Sequence, residues 1–165
     1  MLSPEQAATM LSLQSGMNTK VDPDWVTARY PYLRAVVVEA TEAIEHHGWK
    51  WWKHQEKDLA QLQMELIDIW HFLLSEMLLR HAGDQSAALR LLLDGLQSPA
   101  VVIRFDGKEF RIDQLDLVEK LELLAAVSVT RRIELSLFAS IMSDCAMDWT
   151  EWYRQYVGKN VLNFF

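Results

Sequence analysis

The sequence predicts an all-α protein, and three observations carry that prediction. Six glycines and four prolines in 165 residues leave few points at which a helix must break. Apolar side chains recur mostly three and four residues apart, the spacing that lines them up on one helical face. Half of the residues are hydrophobic, so a chain of this length can bury its own core, and no linker, repeat or low-complexity segment divides it. One domain over residues 1–165 is expected.

Ser3, Pro4 and Glu5 open a short first helix. Serine supplies the N-cap oxygen, proline suits the first helical position because no amide partner is needed there, and the acid meets the positive end of the dipole. Asp22, Pro23 and Asp24 mark a turn, and Pro31 a further boundary. A helix from about Tyr32 to His47 follows, with Leu33, Val37, Ala40 and Ile44 as its apolar stripe and Gly48 as its stop. A long helix carries Leu62, Leu66, Ile69, Phe72 and Leu73 and ends near Gly83; Asp84 to Gly95 suit a shorter one. The stretch "VVIRFDGKEFRI" breaks the helical period. Two β-prone runs flank Asp106-Gly107, so a small β-hairpin near residues 101–112 and a plain loop are the two readings there. Two or three helices fill Asp113 to Phe165, with Asp148 placed as an N-cap.

The formal net charge is -7, which disfavours a nucleic-acid-binding surface. A small anionic substrate stays open, because a bound metal ion inverts local electrostatics. A single cysteine, Cys145, allows no internal disulfide and suits a reducing compartment. The first residues lack the basic and apolar regions of a signal peptide, and no run approaches the roughly 20 apolar residues of a membrane span. The expected location is cytoplasmic, with no membrane contact.

Two short stretches carry the chemistry. "EATE" places Glu39 and Glu42 three apart, and "ELID" does the same for Glu65 and Asp68. Residues three apart on a helix differ by about 60° in direction and about 4.5 Å along the axis, so each pair shares a face. The flanking residues are apolar, and burying an unpaired carboxylate costs several kcal/mol. Two facing helices with such pairs would build an oxygen cage for a hard divalent cation, Mg²⁺ or Mn²⁺. The alternative is four solvated acids paired with neighbouring bases.

Other residues bear on the choice. "WKWWK", Trp49 to Lys53, reads either as core aromatics with snorkelling lysines or as a base-stacking wall beside cations for phosphate. His71 shares the face of Glu65 and Asp68, although a lone helical histidine is more often structural. Gln14 and Asn18, four apart on one face, can match a nucleobase edge as donors and acceptors; a polar helix surface is the rival reading.

Together, "MLSLQSGMN", "EATEAIEHHGWKWWK", "QMELIDIWHFLLSE" and "WYRQYVGKNVLNFF" resemble the dimeric all-α dUTPases of the MazG-like nucleotide pyrophosphohydrolase superfamily. Tyr-x-x-Lys-Asn-x-Leu-Asn is the most discriminating element, and the segment from about Ala82 to Arg132 contributes nothing to the match. The resemblance implies a helical homodimer that hydrolyses dUTP, and dUDP, to dUMP by water attack on a metal-bound phosphate. It assigns Glu39, Glu42, Glu65 and Asp68 to Mg²⁺, with Glu39 or Glu42 orienting the water or taking its proton. It assigns Gln14, Asn18, Trp51 and His71 to uracil, and Tyr156, Lys159, Asn160 and Asn163 to closure over deoxyribose and phosphates. Lys50, Lys53 and Lys159 are the candidates for remaining phosphate charge. The family's C-terminal motif normally continues into an arginine-containing tail, whereas this sequence ends at Phe165. Two other functions stay in view: a house-cleaning pyrophosphohydrolase for another nucleotide, and a catalytically silent helical dimer that binds nucleotide or a protein partner.

Overall fold

Ser3 Oγ accepts the Gln6 amide at 3.1 Å while the Gln6 side chain accepts the Ser3 amide at 3.1 Å, a reciprocal cap that starts α1 (Pro4–Val21). At 18 residues this helix is longer than the opening residues predict, because "MLSLQSGMN" continues its buried face through Met10, Leu11, Gln14 and Asn18. The computed structural model describes residues 1–164. One extra turn, α2 (Trp25–Ala28), follows the Asp22–Asp24 bend and buries Trp25.

Helix α3 (Tyr32–His47) ends at Gly48 with φ 82, a backbone conformation in which glycine carries no Cβ penalty. Leu33, Val36, Ala40 and Ala43 are its buried residues, so Val36 takes the place expected of Val37, which is half-buried, and Ile44 is half-buried too. The face is shifted because α3 packs against two partners, α4 (Leu59–Arg80) and, later in the chain, α6 (Leu117–Val129). Asp58 caps α4 through the Gln61 amide at 3.1 Å.

Helix α4 is buried around most of its circumference, from Leu62 to Leu79, which makes it the central rod. It stops at Arg80, and Ala82 and Gly83 turn the chain with positive φ into α5 (Gln85–Gln97). Strands β1 (Val102–Phe105) and β2 (Lys108–Arg111) then pair antiparallel, with Phe105 opposite Lys108. Asp106 and Gly107 between them have φ 52 and 70, the geometry of a two-residue type I′ hairpin. The hairpin reading of this segment therefore holds, and the plain loop does not.

After α6, helices α7 (Leu135–Asp144) and α8 (Trp149–Phe164) complete the chain. Asp148 caps α8 through the Glu151 amide at 2.8 Å, as its sequence position predicts. Trp70 from α4 stacks on Phe138 from α7 at 5.2 Å, and Trp152 from α8 meets Phe138 edge-on at 5.3 Å. That aromatic junction fixes α8 across α4. Cys145 is buried, and burial pushes its thiol up to about 11, so it is inert. Among the described residues no helix is long and apolar enough to cross a membrane.

Candidate active site

Packing α3 against α4 brings Glu39, Glu42 and Glu65 together, with one oxygen of each within 4.8 Å of the others. They stand at the edge of the helix pair rather than inside it. Glu42 is exposed, Glu39 half-buried, and the Glu65 side chain 12% exposed. One base reaches the group: His46, at the end of α3, bonds Glu65 through Nε2 at 3.1 Å.

Burial, a hydrogen bond with Glu65, and the charges of Glu42, Glu65 and Asp68 push Glu39 up to about 8. Three carboxylates this close cannot all ionise unaided. The site is short of positive charge, and its donors are all hard oxygens. That donor set fits a small hard divalent cation.

Asp68 does not join this trio. It is ion-paired with Lys159, which reaches it from α8. Its other neighbour is a cavity of about 330 Å³ whose lining includes Gln14, Asn18, Trp25, Tyr32, Asp68, His71, Phe72 and Asn163. Asp68 thus stands between the acids and an aromatic pocket.

The polar floor of that pocket is well defined. His71 Nδ1 lies 2.8 Å from the Ile67 carbonyl, which can only accept, so Nδ1 carries the ring proton. Burial holds the ring's pKa below its ordinary value, and the buried Nε2 has no partner among the described residues. A neutral imidazole therefore offers one unused acceptor. The single proton of the Tyr156 hydroxyl has two acceptors in reach, Gln14 Oε1 at 2.8 Å, the nearer, and the Met10 carbonyl at 3.1 Å. Gln14 Nε2 donates to Asn18 Oδ1 and to Ser75 Oγ, both at 3.0 Å, and Asn18 Nδ2 donates to Ser75 Oγ at 3.1 Å. Asn18 keeps one N–H free of partners among the described residues.

The structure thus brings Gln14, Asn18, His71 and Asn163 to one pocket and three of the four acids to a cluster beside it. Tyr156 and Asn160 are buried in the α8 packing face, where Tyr156 sets the Gln14 side chain rather than lining the cavity. Trp51 lies in the loop between α3 and α4, 85% exposed, and forms an edge-on trio with Trp49 and Trp52. It does not line the cavity. Lys50 stands 6.0 Å over the Trp49 ring and Lys53 is exposed; neither forms an ion pair among the described residues. Seven pocket residues escape the sequence reading of the site: Trp25, Tyr30, Tyr32, Phe72, Ser75, Met17 and Val21. The aromatic density of "DWVTARYPY" was the available signal for the first three, masked by its proline and aspartate turn residues.

No curated protein matches the chain. A family model described as dUTPase matches residues 6–165, which includes the segment from Ala82 to Arg132 that no motif covers. With helices throughout, one small hairpin, and an acidic cluster beside an aromatic pocket, the chain belongs to the all-α dUTPase family.

Proposed function

We propose that the protein hydrolyses dUTP, and dUDP, to dUMP with Mg²⁺ or Mn²⁺ held by Glu39, Glu42, Glu65 and Asp68. The observation that carries this reading is the pairing of one unused acceptor, His71 Nε2, with one unused N–H on Asn18 in an aromatic pocket next to the acids. Uracil presents a complementary adjacent pair, its N3–H donor and its O4 acceptor. Trp25, Tyr32 and Phe72 supply apolar walls for the ring.

A bound divalent cation would neutralise phosphate charge and lower the pKa of a coordinated water. The chain's own groups do the rest. Glu39 or Glu42, once ionised, takes the proton of the attacking water. Lys159 stands at Asp68, between base pocket and acids, where it can meet phosphate; Lys50 and Lys53 would approach from the loop. Asn163 sits at the pocket rim, as closure over the sugar requires, with Tyr156 and Asn160 anchoring the helix that carries it. Trp51 and its neighbours form an exposed aromatic patch, the kind of surface that a ligand or a second protomer covers. We place a homodimer of single-domain chains, free of nucleic acid and membrane, in the cytoplasm.

A nucleotide panel tests the proposal: release of phosphate and pyrophosphate from dUTP, dUDP, dTTP, dCTP and dATP, with and without Mg²⁺. Preference for dUTP, with phosphate from dUDP, is expected. Turnover of another nucleotide in preference would replace the substrate, and activity unaffected by chelator would remove the metal.

A further inference from the structure

We infer that Ser75 sets the hydrogen-bond polarity of the pocket and so decides which base edge it accepts. This rests on the uracil reading above. Ser75 is 1% exposed on α4 and touches three groups: the His71 carbonyl at 2.9 Å, Gln14 Nε2 at 3.0 Å, and Asn18, whose Nδ2 and Oδ1 lie at 3.1 and 3.2 Å.

A serine hydroxyl has one proton and two lone pairs. The His71 carbonyl can only accept, and it is the nearest of the three, so the Ser75 proton goes there. Ser75 then has nothing but lone pairs for the two amides, and the Gln14 atom facing it must be the NH₂. That puts Gln14 Oε1 on the Tyr156 hydroxyl, as found at 2.8 Å. The second Gln14 N–H meets Asn18, so the Asn18 atom there must be Oδ1. Asn18 is left with its NH₂ for Ser75 and the pocket. The polarity runs from His71 through Ser75 and Gln14 to Asn18, each step forced by the one before.

Without the Ser75 hydroxyl the same amides have a second solution. Tyr156 donates to the Met10 carbonyl alone and accepts from a rotated Gln14, whose oxygen then accepts from a rotated Asn18. Asn18 now shows the pocket an oxygen. A carbonyl at that point of the base is repelled, so uracil loses its O4 contact; the amino group of cytosine meets Asn18, but cytosine N3 carries no proton for His71 Nε2. His71 is unaffected, because its Nδ1 stays on Ile67.

The test is Ser75→Ala, read by calorimetric binding of dUMP and dCMP without metal and by the dUTP to dCTP ratio of kcat/KM. Loss of the uracil preference by about tenfold or more, through weaker dUMP binding with dCMP binding no weaker, is expected. A wild-type preference that survives unchanged in Ser75→Ala, or equal weakening of both nucleotides, would overturn the inference and leave Ser75 a packing residue. If the wild type shows no preference for uracil, the base reading falls first and this inference with it. Should Ser75→Ala fail to fold, Ser75→Cys carries the same comparison, since a thiol of similar shape accepts hydrogen bonds weakly.

Discussion

Lys159 on α8 is ion-paired with Asp68 on α4, so the one expected metal ligand outside the trio of Glu39, Glu42 and Glu65 is engaged by a base from another helix. The ammonium occupies a place at the acids that substrate phosphate or a cation would otherwise contest. Lys159→Met should therefore strengthen Mg²⁺ binding, by freeing a carboxylate, while lowering turnover, because phosphate loses a cationic partner. Calorimetric Mg²⁺ titration beside steady-state kinetics reads both; weaker Mg²⁺ binding would show that the pair supports the site.

Glu65→Gln and Asp68→Asn should each reduce Mg²⁺-dependent hydrolysis by about a hundredfold or more. Their effects on the metal-free protein should differ. Glu65→Gln relieves repulsion with Glu39 and Glu42 while its amide can still hydrogen-bond His46, and should raise the metal-free Tm, whereas Asp68→Asn breaks an ion pair with Lys159 and should not. Retained activity in either variant would remove that residue from the metal site.

Glu39 makes stability depend on pH. Between its ordinary 4.5 and about 8, the folded chain keeps a proton that the unfolded chain has released. Stability therefore falls as pH rises across that window. Thermal melts from pH 5 to 8.5 without metal should show the decline, and saturating Mg²⁺ should flatten it while releasing protons into a weakly buffered solution. A flat metal-free profile would mean that the three carboxylates are not coupled.

Trp51→Ala should weaken uracil-nucleotide binding far more than pyrophosphate binding if the exposed trio covers the base side of the site. Equal loss of the two would assign Trp51 to phosphate-side packing, and no loss to the surface.

Tyr156→Phe removes the donor to Gln14 Oε1 and leaves that buried oxygen unpartnered. A cost of about 1–3 kcal/mol is expected, a fall in Tm of several degrees at about 2–4 °C per kcal/mol. dUMP binding should weaken in the same variant, although the hydroxyl does not line the pocket. Unchanged dUMP affinity would separate the network from base recognition.

Much of this was legible in the sequence, for identifiable reasons. Ser3, Gly48, Asp106-Gly107 and Asp148 act within a few residues of themselves, so their caps and turns follow from local chemistry. The acid pairs were legible as pairs because helical spacing fixes them. Which acids meet depends on how α8 lies across α4, and no local pattern states that Lys159 takes Asp68. Ser75 was hidden for the same reason: its partners are 57 and 61 residues away. Val36 rather than Val37 is buried because α3 serves two neighbours, which a single apolar stripe does not encode.

The loop tryptophans have an optical consequence. Trp25, Trp70 and Trp152 are buried, whereas Trp51 and Trp52 stand in water with ring centroids 4.6 Å apart. The intrinsic fluorescence should divide into a blue component from the interior and a red one from this loop, and iodide should quench the red component selectively. Rings this close also couple excitonically, adding a loop contribution to the circular dichroism beside that of the interior pairs Trp70–Trp149 and Trp70–Trp152 at 5.7 and 6.2 Å. Anything that settles over residues 49–53, nucleotide or second protomer, would shield the red emission and alter the loop contribution without any label being added.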